Sequence, residues 1–276
     1  MLFRSAALGE LALHAVDTMA MGQDDVPDLL WVSFSTIDVI GHNYGYESLE
    51  RSAALWSLDR TLGLFLAGLD TRVGHDNVRV VLLADHGMSL LPETLQLLGK
   101  VGGRVDIEAL STSLEAGLQK KLGPLSAGGH YVAKLVFPFV TLADPFDADV
   151  RVQRETVAFL NTQPFVYKAW RNDELDADKD EAAKLMRESV YPGRCGQVSF
   201  VLKPGFIPMN KFMMNSGGAH GSPWIDDRYV PTLFWGAGVT PGRHFEAIDV
   251  IDVMRTVADG LGLPPMPHAG VSLSLR

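Results

Sequence analysis

The residues able to do chemistry in this chain fall into three short segments: Asp38-Val39-Ile40-Gly41-His42, Asp85-His86-Gly87 and Gly217-Gly218-Ala219-His220-Gly221. Each joins glycine to a side chain that can bind a metal. Carboxylate oxygen and imidazole nitrogen are the ligands that divalent ions such as zinc accept, and a catalytic site keeps one position open for water or substrate. Asp38 and His42 stand four apart, so one helical turn would aim both side chains at a single ion. His220 could complete a three-ligand set. Asp85 and His86 are adjacent and would face opposite ways in an extended strand; a turn after the strand, eased by Gly87, brings both towards one cavity. Such a pair makes a poor site alone and gains sense as half of a second one.

Taken singly, each motif is more often a helix cap or a turn than a ligand set. The metal reading rests on the agreement of all three in ligand chemistry, flanking glycine and placement at the end of a strand or in a loop. Other candidates are weaker. Asp176, Asp178 and Asp180 alternate like a calcium loop, but Glu181 stands where that loop requires glycine and Arg187 where it requires the closing Glu, so this is a solvated helix start. His14, His75, His130, His244 and His268 read as surface or core histidines. Cys195 has no base nearby in sequence and is an ordinary thiol. Ser216-Gly217-Gly218 lacks the Lys and following helix of a phosphate-binding P-loop and reads as a loop positioning His220.

The elements that must position these residues alternate. An opening amphipathic helix leads to a buried strand over residues 29–34, which ends at Ser35-Thr36-Ile37-Asp38. Apolar positions recurring at helical spacing predict a long helix from about Glu47 to Leu69. A second buried strand, Val78 to Leu83, stops at Ala84-Asp85-His86. Strand, helix and strand, with near-continuous apolar strands, predict an α/β fold: a mostly parallel sheet covered by helices on both faces. In such sheets ligands gather at the carboxyl ends of strands, where Asp38 and Asp85 both fall. Residues 98–205 read as an inserted α+β subdomain, with helices Ile107 to Leu122, Val150 to Thr162 and Asp178 to Val190 and strands Tyr131 to Phe137 and Gln197 to Leu202. Residues 1–97 and 206–276 form the core, which the chain re-enters through a glycine-rich loop, the strand Val230 to Trp235 and a last helix, Ile248 to Leu261.

Bulk properties narrow the field. The 276 residues, 47% apolar, suffice for one domain with an insertion. The net charge of -9 argues against a duplex nucleic-acid surface, which needs clustered Lys and Arg. A single cysteine excludes an internal disulfide and a cysteine-based zinc cluster. Glu10, His14 and Asp17 interrupt any signal-peptide core near the start, and no apolar run approaches the roughly 20 residues of a membrane span.

The motifs together, Ser-Thr-x-Asp-x-x-Gly-His after a strand, Ala-Asp-His-Gly-Met after another, and Ala-His-Gly-Ser-Pro-Trp before Tyr-Val-Pro-Thr-Leu-Phe-Trp-Gly, resemble the alkaline phosphatase superfamily. The nearest branch is the type I phosphodiesterase/nucleotide pyrophosphatase group, with its bacterial phosphomonoesterases that use a Thr nucleophile. The likeness spans almost the whole chain. It implies two Zn2+ ions, one held by Asp38, His42 and His220 and the other by Asp85 and His86, acting on a small phosphate-ester substrate. It also implies that the Thr or Ser nucleophile and a further Asp ligand belong to an N-terminal part ahead of Met1. Ser35 and Thr36 precede a ligand on another strand and are poor substitutes, so the chain alone is expected to be nearly inactive, its missing half a candidate partner. Members are commonly exported to the periplasm or cell surface. Alternatives are a phosphodiesterase and, from another class, an inactive metal-binding scaffold or partner subunit.

Overall fold

A computed structural model describes residues 3–126, 128–209, 217–264 and 270–275. Ser216 and His268, with most of the proline-rich tail, lie outside the described residues. The elements run α1 (Phe3–Thr18), α2 (Thr36–Tyr44), α3 (Leu49–Val73), β1 (Arg79–Leu83), α4 (Pro92–Leu97), β2 (Gly103–Asp106), α5 (Ile107–Leu122), β3 (Val132–Val136), β4 (Phe139–Leu142), α6 (Val150–Asn161), β5 (Val166–Arg171), α7 (Glu181–Ser189), β6 (Val198–Leu202), β7 (Phe206–Met209), α8 (Ile225–Arg228), β8 (Thr232–Gly236) and α9 (Val250–Gly260). The fold class is α/β. Two compact units emerge, one of Met1–Val39, Leu49–Asp85 and Val230–Arg276, the other of Ile40–Ser48 and His86–Tyr229.

In the first unit α1 lies along α3, burying Ala12 and Val16 of α1 and Ala54, Thr61 and Leu69 of α3. Gly9 allows the close approach, since a side-chain carbon there would stand 3.1 Å from a Thr61 methyl. Arg72 closes the far end with a two-pronged bond to Asp17, 2.8 and 3.0 Å. Strand β1 pairs antiparallel with β8, Arg79 opposite Gly236 and Leu83 opposite Thr232. At α9 a reciprocal cap between Asp249 and Asp252 satisfies the free amides of the first turn. The other Asp252 oxygen and the Thr256 hydroxyl accept from the amides of Val271 and Leu273, tying the C-terminal stretch to the helix.

The strand expected over 29–34 does not form. These residues pair with no other strand among those described, and Leu29 and Trp31 are exposed. An apolar run signals an extended, half-buried segment, but a strand exists only through a neighbour that takes its amides and carbonyls.

The second unit is built on a four-stranded antiparallel sheet in the order β3-β4-β6-β5. Every residue of β6 is buried. Leu110, Leu114 and Leu118, spaced one turn apart on α5, enter the same core as Val152 and Leu160 of α6 and Val198, Phe200 and Leu202 of β6. Parallel pairing, expected throughout the main sheet, occurs among the described residues between β2 and β7, with Gly103 opposite Phe206. Helix α7 starts at Glu181, later than the charge pattern suggested, because Asp180 is its cap and accepts from the Ala182 amide.

Candidate metal centre

Helix α2 carries Asp38 in its first turn and His42 in its last, one turn apart on one continuous helix. The end of this helix is held against the loop that bears His220. The Gly218 amide donates to the Gly41 carbonyl at 3.0 Å. At Gly217 the approach is so close that a side-chain carbon would overlap the His42 carbonyl oxygen. The outer side of the loop is fixed by Arg104, whose Nη1 donates to the Gly217 carbonyl at 2.8 Å. Glu93 grips the same guanidinium at 2.8 and 2.9 Å. This bond from Arg104 holds the Glu93 carboxyl below the usual carboxylate range.

Those contacts decide which nitrogen of His42 presents its lone pair. Its Nδ1 lies 3.0 Å from the Gly218 carbonyl oxygen. A carbonyl only accepts, so Nδ1 carries the proton and the lone pair is on Nε2. That Nε2 faces Nε2 of His220 at 3.1 Å. Asp38, His42 and His220 each offer one ligand atom, and these atoms all lie within 4.8 Å of one another. Because Asp38 and His42 share a helix, the carboxylate is set relative to the imidazole by that helix alone. His86 adds a third imidazole, stacked on His220 with centroids 3.3 Å apart and planes 13° from parallel. Its Nδ1 lies 2.8 Å from the Gly87 carbonyl, which again places the lone pair on Nε2. Asp85 stands at an exposed bend two residues past the end of β1.

The donor set suits zinc. Two nitrogens bound to one tetrahedral ion at 2.0–2.1 Å stand about 3.3 Å apart, close to the separation of the two Nε2 atoms. One carboxylate oxygen with two imidazoles also leaves a fourth position open.

Sequence reasoning did not find Arg104, Glu93 or the Gly218 carbonyl. None ligates, and each acts only through tertiary contact, so no spacing marks it. The residues set aside as structural have structural partners. Asp178 accepts from the Trp170 indole at 2.6 Å and pairs with Lys168. The Cys195 sulfur accepts from the Tyr191 amide at 3.3 Å. His75 approaches Asp70 at 3.4 Å and packs edge-on against Trp235.

The model of the type I phosphodiesterase/nucleotide pyrophosphatase family matches residues 3–223. Alkaline phosphatase PhoK of Sphingomonas sp. is 30% identical over 278 aligned positions, covering 92% of this chain and 47% of its own length. A protein of Myroides odoratus named a calcium-transporting ATPase is 27% identical, covering 97% of this chain and 49% of its own. The crystal structure of wild-type alkaline phosphatase PafA superposes with a TM-score of 0.89 at 24% identity, over 99% of this chain and 52% of that one. The chain thus spans about half the length of the relatives it matches.

Proposed function

The chain belongs to the type I phosphodiesterase/nucleotide pyrophosphatase family, and from that membership we propose that it is the cation-binding part of a phosphoric ester hydrolase. Asp38, His42 and His220 hold one zinc ion, and Asp85 and His86 contribute to a second. The observation that carries this reading is the pair of Nε2 atoms facing each other at 3.1 Å beside the Asp38 carboxylate. Zinc, when bound, supplies Lewis-acid polarisation of a phosphoryl oxygen and lowers the pKa of a bound hydroxyl or water. The chain's own residues prepare that position. The Gly218 and Gly87 carbonyls fix the tautomers of His42 and His86 so that each presents a lone pair without reorientation. Arg104 and Glu93 hold the loop from outside, so that His220 stays in register with α2.

The attacking hydroxyl is not assigned to this chain. Thr36 is buried at the start of α2, and neither it nor Ser35 follows the pattern of the family's nucleophile. Residues 98–205, with the four-stranded sheet and helices α5 and α6, act as an inserted support, and export to the periplasm or cell surface belongs to the same reading. Among the described residues no helix is long and apolar enough to cross a membrane. The name of the Myroides protein suggests calcium, but calcium takes oxygen ligands, and two imidazoles in a three-ligand set favour zinc.

Isothermal titration of the metal-stripped chain with zinc tests the proposal. Tight binding is expected, and His220→Ala should weaken it at least tenfold. Equal binding by both proteins would sink the assignment. Aryl phosphate turnover by the chain alone should be negligible; robust turnover that vanishes in His220→Ala would place the nucleophile within this sequence.

A further inference from the structure

Asp227 is a carboxylate with 4% of its surface exposed, and the site as described gives it no task. Besides the bond from its own amide to the Trp224 carbonyl, three bonds that it accepts lead to the segments that carry His86 and His220. Its Oδ1 accepts from the Ser89 hydroxyl at 2.8 Å, three residues past His86. Its Oδ2 accepts from the Ser222 amide at 2.9 Å, two residues past His220. Its main-chain carbonyl accepts from the Gly87 amide at 2.8 Å, next to His86. The approach at Gly87 leaves no room for a side chain, since a carbon there would overlap the Asp226 carbonyl oxygen. The two histidines so flanked are the pair whose rings stack at 3.3 Å.

We propose that Asp227 is a positioning residue that clamps the His86 and His220 segments together and thereby sets the spacing of the two cation positions. The inference rests on the zinc reading above and deepens it. A bridging carboxylate is suited to the task because each oxygen can accept from a different segment, which an apolar residue cannot do. Asn can preserve the bridge. Its amide oxygen accepts from the Ser222 amide while its NH2 donates to Ser89, whose hydroxyl rotates to accept. Ala removes both arms and leaves the half-buried Ser222 amide without its acceptor.

Zinc affinity of the wild-type chain, Asp227→Asn, Asp227→Ala and His220→Ala, measured by competition with a chromophoric chelator, tests the clamp. The expected result is a loss on the order of tenfold or more in Asp227→Ala, with Asp227→Asn within about threefold of wild type. Zinc binding by Asp227→Ala equal to wild type, while His220→Ala loses it, would overturn the clamp and leave the metal assignment standing. Absence of zinc binding by the wild-type chain would overturn both. Should Asp227→Ala fail to fold, Ser89→Ala decides, because it removes one arm only: several-fold weaker binding supports the clamp, and wild-type binding overturns it.

Discussion

Gly217 shows how little freedom the individual residues around the histidines have. Its lack of a side chain lets the loop meet the last turn of α2, where any β-carbon would overlap the His42 carbonyl. Gly217→Ala should therefore displace the loop at a cost of about 1–3 kcal/mol and weaken zinc binding by about tenfold or more; thermal melting and chelator competition measure the two effects. Asp178 makes a different prediction, one of pH. The hydrogen bond from Lys168, then those from the Trp170 indole and the Asp180 amide, hold its carboxyl down at about 2 from an ordinary 3.8. A depressed folded-state pKa stabilises the fold fully above the unfolded value, and the contribution disappears as pH falls through the folded one. Asp178→Asn should melt below wild type at pH 7, and the gap should close between pH 3.8 and about 2. A gap that does not depend on pH would show that the carboxylate's charge is not the cause. The Gly217 effect arises from a partner 175 positions away and the Asp178 effect from a strand and a turn that fold back onto it, which is why Gly217 and Asp178 read only as a loop glycine and a helix-start acid.

At the scale of elements, the long periodic helices and the five-residue strands β1, β3, β6 and β8 are legible in the sequence, and the four-residue strands are not. Helix α5 occupies the span that its apolar spacing predicts, because Leu110, Leu114 and Leu118 repeat with the helical period and face one core. Leu114 is fully buried there, and Leu114→Ala should lower stability by about 2–5 kcal/mol in urea denaturation. Helix α6 starts where Asp149 caps it, accepting from the Arg151 amide at 2.8 Å; Asp149→Ala should cost about 1 kcal/mol in the same assay. By contrast β2, β4 and β7 have four residues each, too few to display a period. Such strands are specified by their partners: Phe139 of β4 by Ser199 of β6, Gly103 of β2 by Phe206 of β7. The run at 29–34 is the converse case, apolar enough to suggest a strand but lacking one to pair with among the described residues.

For the molecule as a whole, cation binding and folding should be coupled, because Asp38, His42 and His220 come from segments that only the folded chain brings together. Zinc at one hundred times its dissociation constant should stabilise the chain by about 2.7 kcal/mol. Its melting temperature should rise accordingly, fall back on chelation, and fail to rise in His220→Ala. A zinc-independent melting curve would separate binding from folding. The sequence by itself determined the α/β class, the long helices, the ligand-type residues and the family, because these depend on composition, period and local motif. Only the tertiary structure decided that Nδ1 of His42 meets the Gly218 carbonyl, that His220 faces His42 and stacks on His86, and that Arg104, Glu93 and Asp227 hold their segments in place. Most of those contacts join residues more than a hundred positions apart, such as Arg104 to Gly217 and Ser89 to Asp227, and no local pattern in a chain encodes which distant partner will accept a given proton.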